Sequence, residues 1–209
     1  MASRWTTVSA LRADFLHVVT DDEVVARPDF LRLAAEVVDA GGSSVVLHLR
    51  VPHGSGRTVF RLAEALRSRT RDAGSSLLIN DRLDVALAVD ADGVQLGRRG
   101  LSATDARAML GPERRIGVSA HGPAAVPEAD FFLVGNVYPT ASHPGRAGIG
   151  VAGLAHFRDV PVVAIGGVTP ERVAELRAAG VRGVAAIRGI WDAPSPAAAV
   201  RGFLKEWRG

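Results

Sequence analysis

The sequence predicts an α/β fold in which eight parallel strands close into a (β/α)8 barrel. Three observations carry this expectation. Short apolar runs rich in Val, Leu and Ile alternate with segments of helical periodicity along the chain. Eight such runs occur, and eight strands each followed by a crossover suit a closed parallel sheet. Hydrophobic residues make up 47% of the 209 residues and aromatics only 5%, so the core is aliphatic, as a sheet buried on both faces requires. An open doubly wound sheet is the competing architecture, but no run leads into a complete Gly-x-Gly-x-x-Gly turn. The length suits one domain over residues 1–209.

The elements follow in order. Residues 16–20 form strand one, and a helix over 30–40 closes at Gly41 and Gly42. Residues 44–50 form strand two, followed by a long Arg-rich helix over 58–72 with apolar residues at helical spacing. Strand three is 76–80, a short helix covers 81–90, and strand four is 93–97. Ser102 caps a helix over 102–110, and strand five is 116–120. The link from Gly122 to Ala129 is short and broken by Pro123 and Pro127, so the crossover after strand five is degenerate. Strand six is 131–135, a long loop runs from 139 to 150, and a helix covers 151–158. Strand seven lies in the run 161–168, with Thr169 as N-cap and Pro170 in the first turn of the next helix. Strand eight is 183–189, and the last helix is 196–207.

Composition narrows the chemistry. The absence of cysteine removes disulfides, thiolate zinc sites and cysteine nucleophiles, and fits a cytoplasmic protein. Lys205 is the only lysine and lies in the last helix, which argues against Schiff-base chemistry at a strand end. The net charge of +3 comes without a basic stripe interleaved with aromatics, so nucleic acid is not an expected partner. No apolar stretch is long enough to span a bilayer, and the N-terminus lacks the pattern of a cleaved signal. Nothing in the pattern decides between a monomer and a homo-oligomer.

Barrel active sites lie at the C-terminal ends of the strands. Those ends collect polar residues here: Thr20 and Asp21, His48 and Arg50, Asn80 and Asp81, Gln95, Ser119 and His121, Asn136 and Tyr138, and Arg188. His121 directly follows strand five, where a histidine can exchange protons near neutral pH. His48 alternates with Leu47 and Leu49 and reads more simply as an inward-facing core residue. Asp81 reads as a helix cap. Gly166 and Gly167 end strand seven without Cβ atoms, so the backbone there can approach a ligand. Together with Ile187, Arg188 and Gly189 after strand eight they form a candidate phosphate cradle. His53, His143 and His156 have no metal-like spacing.

At these residues the chain resembles the thiamine-phosphate synthase/TenI family. The matching pieces include Val19-Thr20-Asp21, His48-Leu49-Arg50, Ile79-Asn80-Asp81-Arg82, Asp92 to Gly97, Gly117 to His121, Tyr138-Pro139-Thr140, Val163 to Gly167 and Gly183 to Ile187. They occur in family order over nearly the whole chain. The resemblance implies a (β/α)8 barrel acting on thiazole phosphates in thiamine biosynthesis. The synthases of the family join a pyrimidine diphosphate to a thiazole phosphate with magnesium. They carry a lysine two residues after the strand-two arginine, an aspartate in the loop after strand four and a lysine after the Pro-Thr of the strand-six loop; here those positions hold Pro52, Gly100 and His143. The TenI-like branch keeps the histidine after strand five, often has Gln in strand four, and resembles thiazole tautomerases, which need neither metal nor leaving group.

The expectation is therefore a TenI-like thiazole tautomerase without cofactor, with a small phosphorylated thiazole as its substrate. His121 is its general acid/base. Arg50, Asn80, Gln95 and Ser119 line its pocket, and Gly166, Gly167, Ile187, Arg188 and Gly189 hold its phosphate. The alternatives are a thiamine-phosphate synthase, the one case requiring magnesium, and a non-catalytic binder of thiazole or thiamine phosphates.

Overall fold

A computed structural model describes residues 15–98, 100–120, 126, 128–140, 145, 147–157 and 160–209. Eight parallel strands close into a barrel in sequence order. They are β1 (Leu16–Val19), β2 (Val45–Leu49), β3 (Ser76–Asn80), β4 (Gly93–Leu96), β5 (Arg115–Ala120), β6 (Phe131–Gly135), β7 (Val162–Ile165) and β8 (Gly183–Ala186). Around them lie α1 (Asp22–Val25), α2 (Phe30–Gly41), α3 (Gly56–Ala73), α4 (Leu83–Ala88), α5 (Ala103–Leu110), α6 (Gly150–Leu154), α7 (Val173–Ala178), α8 (Arg188–Trp191) and α9 (Pro196–Arg208). Among the described residues no helix lies between β5 and β6.

The helices dock through stripes that the sequence spells out. α9 buries Val200, Phe203, Leu204 and Trp207, and α3 buries Val59, Ala63, Leu66 and Thr70, each set on one face of a 3.6-residue period. Side-chain caps set four of the starts: Asp21 accepts the Val24 N–H, Ser55 that of Thr58, Ser102 that of Asp105 and Ser195 that of Ala198. The two four-residue helices, α1 and α8, are too short to show a period and escape the sequence reading. The predicted helix over 151–158 is α6 followed by a 3-10 turn at Ala155–Phe157. The helix after β7 likewise begins as a 3-10 turn at Pro170–Arg172, and Thr169 makes no side-chain cap bond to it.

Outward-facing strand residues join the helices in one large apolar cluster, while Val19, Val46, Leu78, Phe131, Leu133, Val163 and Ala185 fill the barrel interior. That interior also holds polar groups. His17 and His48 are both buried, and Nδ1 of His17 lies 2.8 Å from Nε2 of His48. One ring donates and the other accepts, so one proton serves the pair. Phe131 packs against both rings, with centroids 5.1 and 6.3 Å away. The expected inward-facing role of His48 therefore holds. Burial, and then the charge of Arg115, push His48 down to about 3 from an ordinary 6.5. Burial, then His48 and Arg115, hold His17 well below its usual range as well.

In the unfolded chain these rings take up protons that the folded interior refuses. Their contribution to stability is therefore present above the ordinary value of 6.5 and is lost as pH falls toward about 3. The urea midpoint should drop between about pH 7 and about pH 4.5, and the drop should be shallower in His48→Gln, which keeps a polar side chain but cannot charge. Equal slopes would remove the histidine pair as the source of acid lability.

Candidate active site

The C-terminal ends of the strands bring most of the predicted site together. At the ends of β1 and β2, the Thr20 hydroxyl donates to the Arg50 carbonyl at 3.0 Å and accepts the Arg50 N–H at 2.9 Å. This link fixes the start of both following loops. Asn80 and Gln95 are register partners on β3 and β4. Gln95 is fully buried and donates through Nε2 to Ser119 Oγ at 3.1 Å. Its amide occupies space left by Gly117: a Cβ there would lie 2.2 Å from Gln95 Oε1 and 2.2 Å from Phe131 Cζ. Gln95 Oε1, Asn80 Oδ1 and His48 Nδ1 are buried with no protein partner. Buried polar atoms are ordinarily paired, so unmatched ones beneath a barrel mouth point to a ligand.

Asp81 does not cap a helix. α4 begins at Leu83 behind Arg82, without a side-chain cap bond. Asp81 instead adopts φ 56°, a conformation Asp and Asn tolerate better than most residues, and its Oδ1 accepts the Gly97 N–H at 2.6 Å. Its exposed carboxylate therefore stands at the mouth between the β3 and β4 loops.

Across the barrel, Gly166 and Gly167 both take positive φ, 96° and 64°. The primary reason is packing rather than ligand approach. A Cβ on Gly166 would lie 2.4 Å from Asn136 Cβ, and one on Gly167 2.6 Å from the Pro139 carbonyl oxygen. The chain leaving β6 pairs along this edge, Val137 N–H to the Ile165 carbonyl at 2.9 Å and Tyr138 N–H to the Gly166 carbonyl at 3.0 Å. Tyr138 is pinned from the other side: its hydroxyl donates to Glu175 at 2.8 Å, and the Arg172 guanidinium lies 4.2 Å from its ring centroid.

β8 ends at Ala186, three residues earlier than its sequence suggests. Ile187 is the N-cap of α8, and Arg188 and Gly189 are its first residues, so their backbone N–H groups have no intrahelical partners. The side chain of Arg188 departs from its predicted phosphate role. It pairs with Glu23 at 3.0 Å on the outer rim, where it is 43% exposed. The backbone of this segment, not its charge, suits an anion. His121 and His143 lie outside the described residues. The sequence reading missed one pair at the mouth: His53 meets Asp22 at 2.7 Å, and only the Pro52-His53-Gly54 turn signal hinted at it.

No group of three or more His, Asp or Glu among the described residues is arranged to hold a metal. The donor set fits a magnesium ion only if a substrate diphosphate supplies most of its oxygens and Asp81 the carboxylate, an arrangement common for this ion.

Fold and site define a (β/α)8 barrel with a polar C-terminal mouth. A model of the family described as thiamine monophosphate synthase matches residues 16–190, and the chain belongs to this family of thiamine-biosynthetic enzymes. It is 42% identical over 172 residues to the thiamine-phosphate synthase of Moorella thermoacetica, covering 78% of this chain and 81% of that one. It is 38% identical over 194 residues to that of Laribacter hongkongensis, covering 89% and 92%. A thiamine phosphate pyrophosphorylase from Pyrococcus furiosus superposes with a TM-score of 0.80 at 30% identity, covering 94% of this chain and 96% of that one. These relatives carry the synthase name, so the comparisons favour that branch over the tautomerase expected from the motifs.

Tyr138 is the only tyrosine, which makes its environment directly readable. Burial first, then the hydrogen bond and charge of Glu175, push its phenol up to about 12 against the pull of Arg172. Ultraviolet titration should show one tyrosinate transition near about 12, and Glu175→Gln should move it part of the way back toward 10. The contact favours the neutral phenol, so its stabilisation is complete below pH 10 and is lost through about 12. A transition at the ordinary value in the wild type would show that Tyr138 is not held this way.

Proposed function

We propose that the chain is a thiamine-phosphate synthase, coupling the aminopyrimidine diphosphate half of thiamine to the thiazole phosphate half. The observation that carries this reading is the pair of buried, unpartnered amide oxygens, Asn80 Oδ1 and Gln95 Oε1, on adjacent strands. An exocyclic amino group supplies the N–H donors they lack. A thiazole carboxylate phosphate has no such donor, and its carboxylate would meet acceptors. The names of the relatives support the same branch.

In this reading the Asn80 and Gln95 amides orient the pyrimidine, with Ser119 holding the Gln95 amide. The turn at Gly166 and Gly167 and the first turn of α8 hold the thiazole phosphate. A C–N bond forms at the pyrimidine methylene while its C–O bond breaks, and the electron pair leaves with the diphosphate. Magnesium, when bound, neutralises charge on that leaving group; Asp81 would hold it, and Arg50 lies on the same side of the mouth.

The test is to incubate the protein with both substrates and magnesium and measure thiamine phosphate and diphosphate. Magnesium-dependent coupling is expected. Asp81→Asn should lower kcat at least about tenfold with little change in Tm, because Asn keeps the acceptor for Gly97 and tolerates the positive φ.

The tautomerase is the second reading, favoured by Pro52 and Gly100 standing where the synthases carry charge. Metal-independent aromatisation of thiazole carboxylate phosphate, lost in His121→Ala and accompanied by no coupling, would establish it instead.

A further inference from the structure

The turn after β2 presents a histidine that none of the family positions accounts for. The Gly54 N–H donates to the Val51 carbonyl at 3.0 Å, closing a four-residue turn with Pro52 and His53 at its centre. Proline fits the first central position of such a turn and fixes its φ. A Cβ on Gly54 would lie 2.7 Å from Val51 Cγ1, so a larger residue there would crowd the turn. His53 is thereby carried to the tip, with its side chain 89% exposed.

One carboxylate holds both of its N–H groups. Asp22 Oδ2 lies 2.7 Å from His53 Nδ1, and Asp22 Oδ1 accepts the His53 backbone N–H at 3.1 Å. With Nδ1 and the main chain both tied, the ring orientation is set. Nε2, on the far side of the ring, faces away from Asp22. With a carboxylate on Nδ1, Nε2 is the ring nitrogen left open to a ligand. Asp22 and His53 sit in the loops after β1 and β2, whose ends Thr20 and Arg50 bind together. The charged groups around the ring are Asp22 from α1 and Arg50 from the end of β2; Glu23, the next residue of α1, is already paired with Arg188.

We propose that His53 contacts the leaving diphosphate, replacing the lysine that the synthases carry at the position of Pro52, with Asp22 as its positioning residue. The assignment rests on the transferase reading above. His53 Nε2–H donates to a diphosphate oxygen as the pyrimidine C–O bond breaks. The electron pair departs with the diphosphate and the proton stays on the ring. An isolated exposed His–Asp pair contributes little to stability, so removing the ring leaves the fold intact.

The test pairs binding with turnover. Calorimetry with inorganic diphosphate compares wild type, His53→Ala, His53→Lys and Asp22→Asn. His53→Ala should bind about tenfold more weakly than wild type, the size of one charge-assisted hydrogen bond. His53→Lys should restore binding. Asp22→Asn should weaken binding in the same direction. In the coupling assay His53→Ala should lower kcat and leave the KM for thiazole phosphate unchanged. Equal diphosphate affinity of His53→Ala and wild type overturns the proposal. If diphosphate binding depends on His53 but wild type makes no thiamine phosphate, the transferase reading falls and the anion contact stands. If wild type couples the substrates and His53→Ala matches it in both measurements, His53 alone is dismissed.

Discussion

Gly166 and Gly167 turn with φ of 96° and 64°, and the volume a Cβ would take at each is already filled by the chain leaving β6. Much of the mouth depends on that exclusion. Because no side chain stands there, residues 136–138 can pair along the β7 edge beyond the end of the strand. The pairing delivers Tyr138 to Glu175 and Arg172 on the far side, so the long loop after β6 is tied to the segment that follows β7. In the proposed reading, the turn that this packing dictates is also the one that receives the substrate phosphate.

The floor of the site shows a division of polar labour inside the barrel. Deeper, His17 and His48 share one hydrogen bond and stay neutral, packed by Phe131. Nearer the mouth, Asn80 and Gln95 leave their amide oxygens unmatched. Each unmatched buried acceptor costs about 1–3 kcal/mol, a cost that a ligand with N–H donors relieves. A barrel that used this layer for stability alone would have filled it with the aliphatic residues found at Leu78, Leu133 and Val163. The amides there are what the proposed reading assigns to recognition of the pyrimidine.

All eight strands were legible in the sequence, because apolar runs of β-branched residues and punctuating glycines report burial on both faces. Their polar ends were legible too, since Asn80, Gln95 and Ser119 stand at the register where inward-facing positions reach the mouth. What escaped were arrangements set by distance rather than period. Asp81 looked like a cap because Asp before a helix usually is one, yet its partner is Gly97, on the next loop. Arg188 looked like an anion contact because of its place after β8, yet Glu23, far earlier in the chain, claims it. Asp22 and His53 meet only because β1 and β2 are neighbours in the sheet. A single sequence carries no trace of such pairings, since each member is an ordinary surface residue on its own.

The changed motif charges are best understood as coupled to the backbone that carries them. The turn from Gly97 to Gly100 closes with a hydrogen bond of 3.2 Å, and a Cβ on Gly100 would stand 2.7 Å from Asp81 Oδ1. Asp81 therefore leans into space that an aspartate at position 100 would contest. The same logic applies in the neighbouring loop after β2, where Pro52 stands in place of a flexible cation and helps build the turn that seats His53 on Asp22. Counted by motif, the chain lacks the charges of a synthase. Counted by geometry, it keeps the Asp81 and Asp22 carboxylates at the mouth, an arginine at the end of β2 and an imidazole held by Asp22. A fixed group loses less freedom on meeting a ligand than a mobile lysine does, so fewer charges held in place can serve where more were carried on flexible side chains.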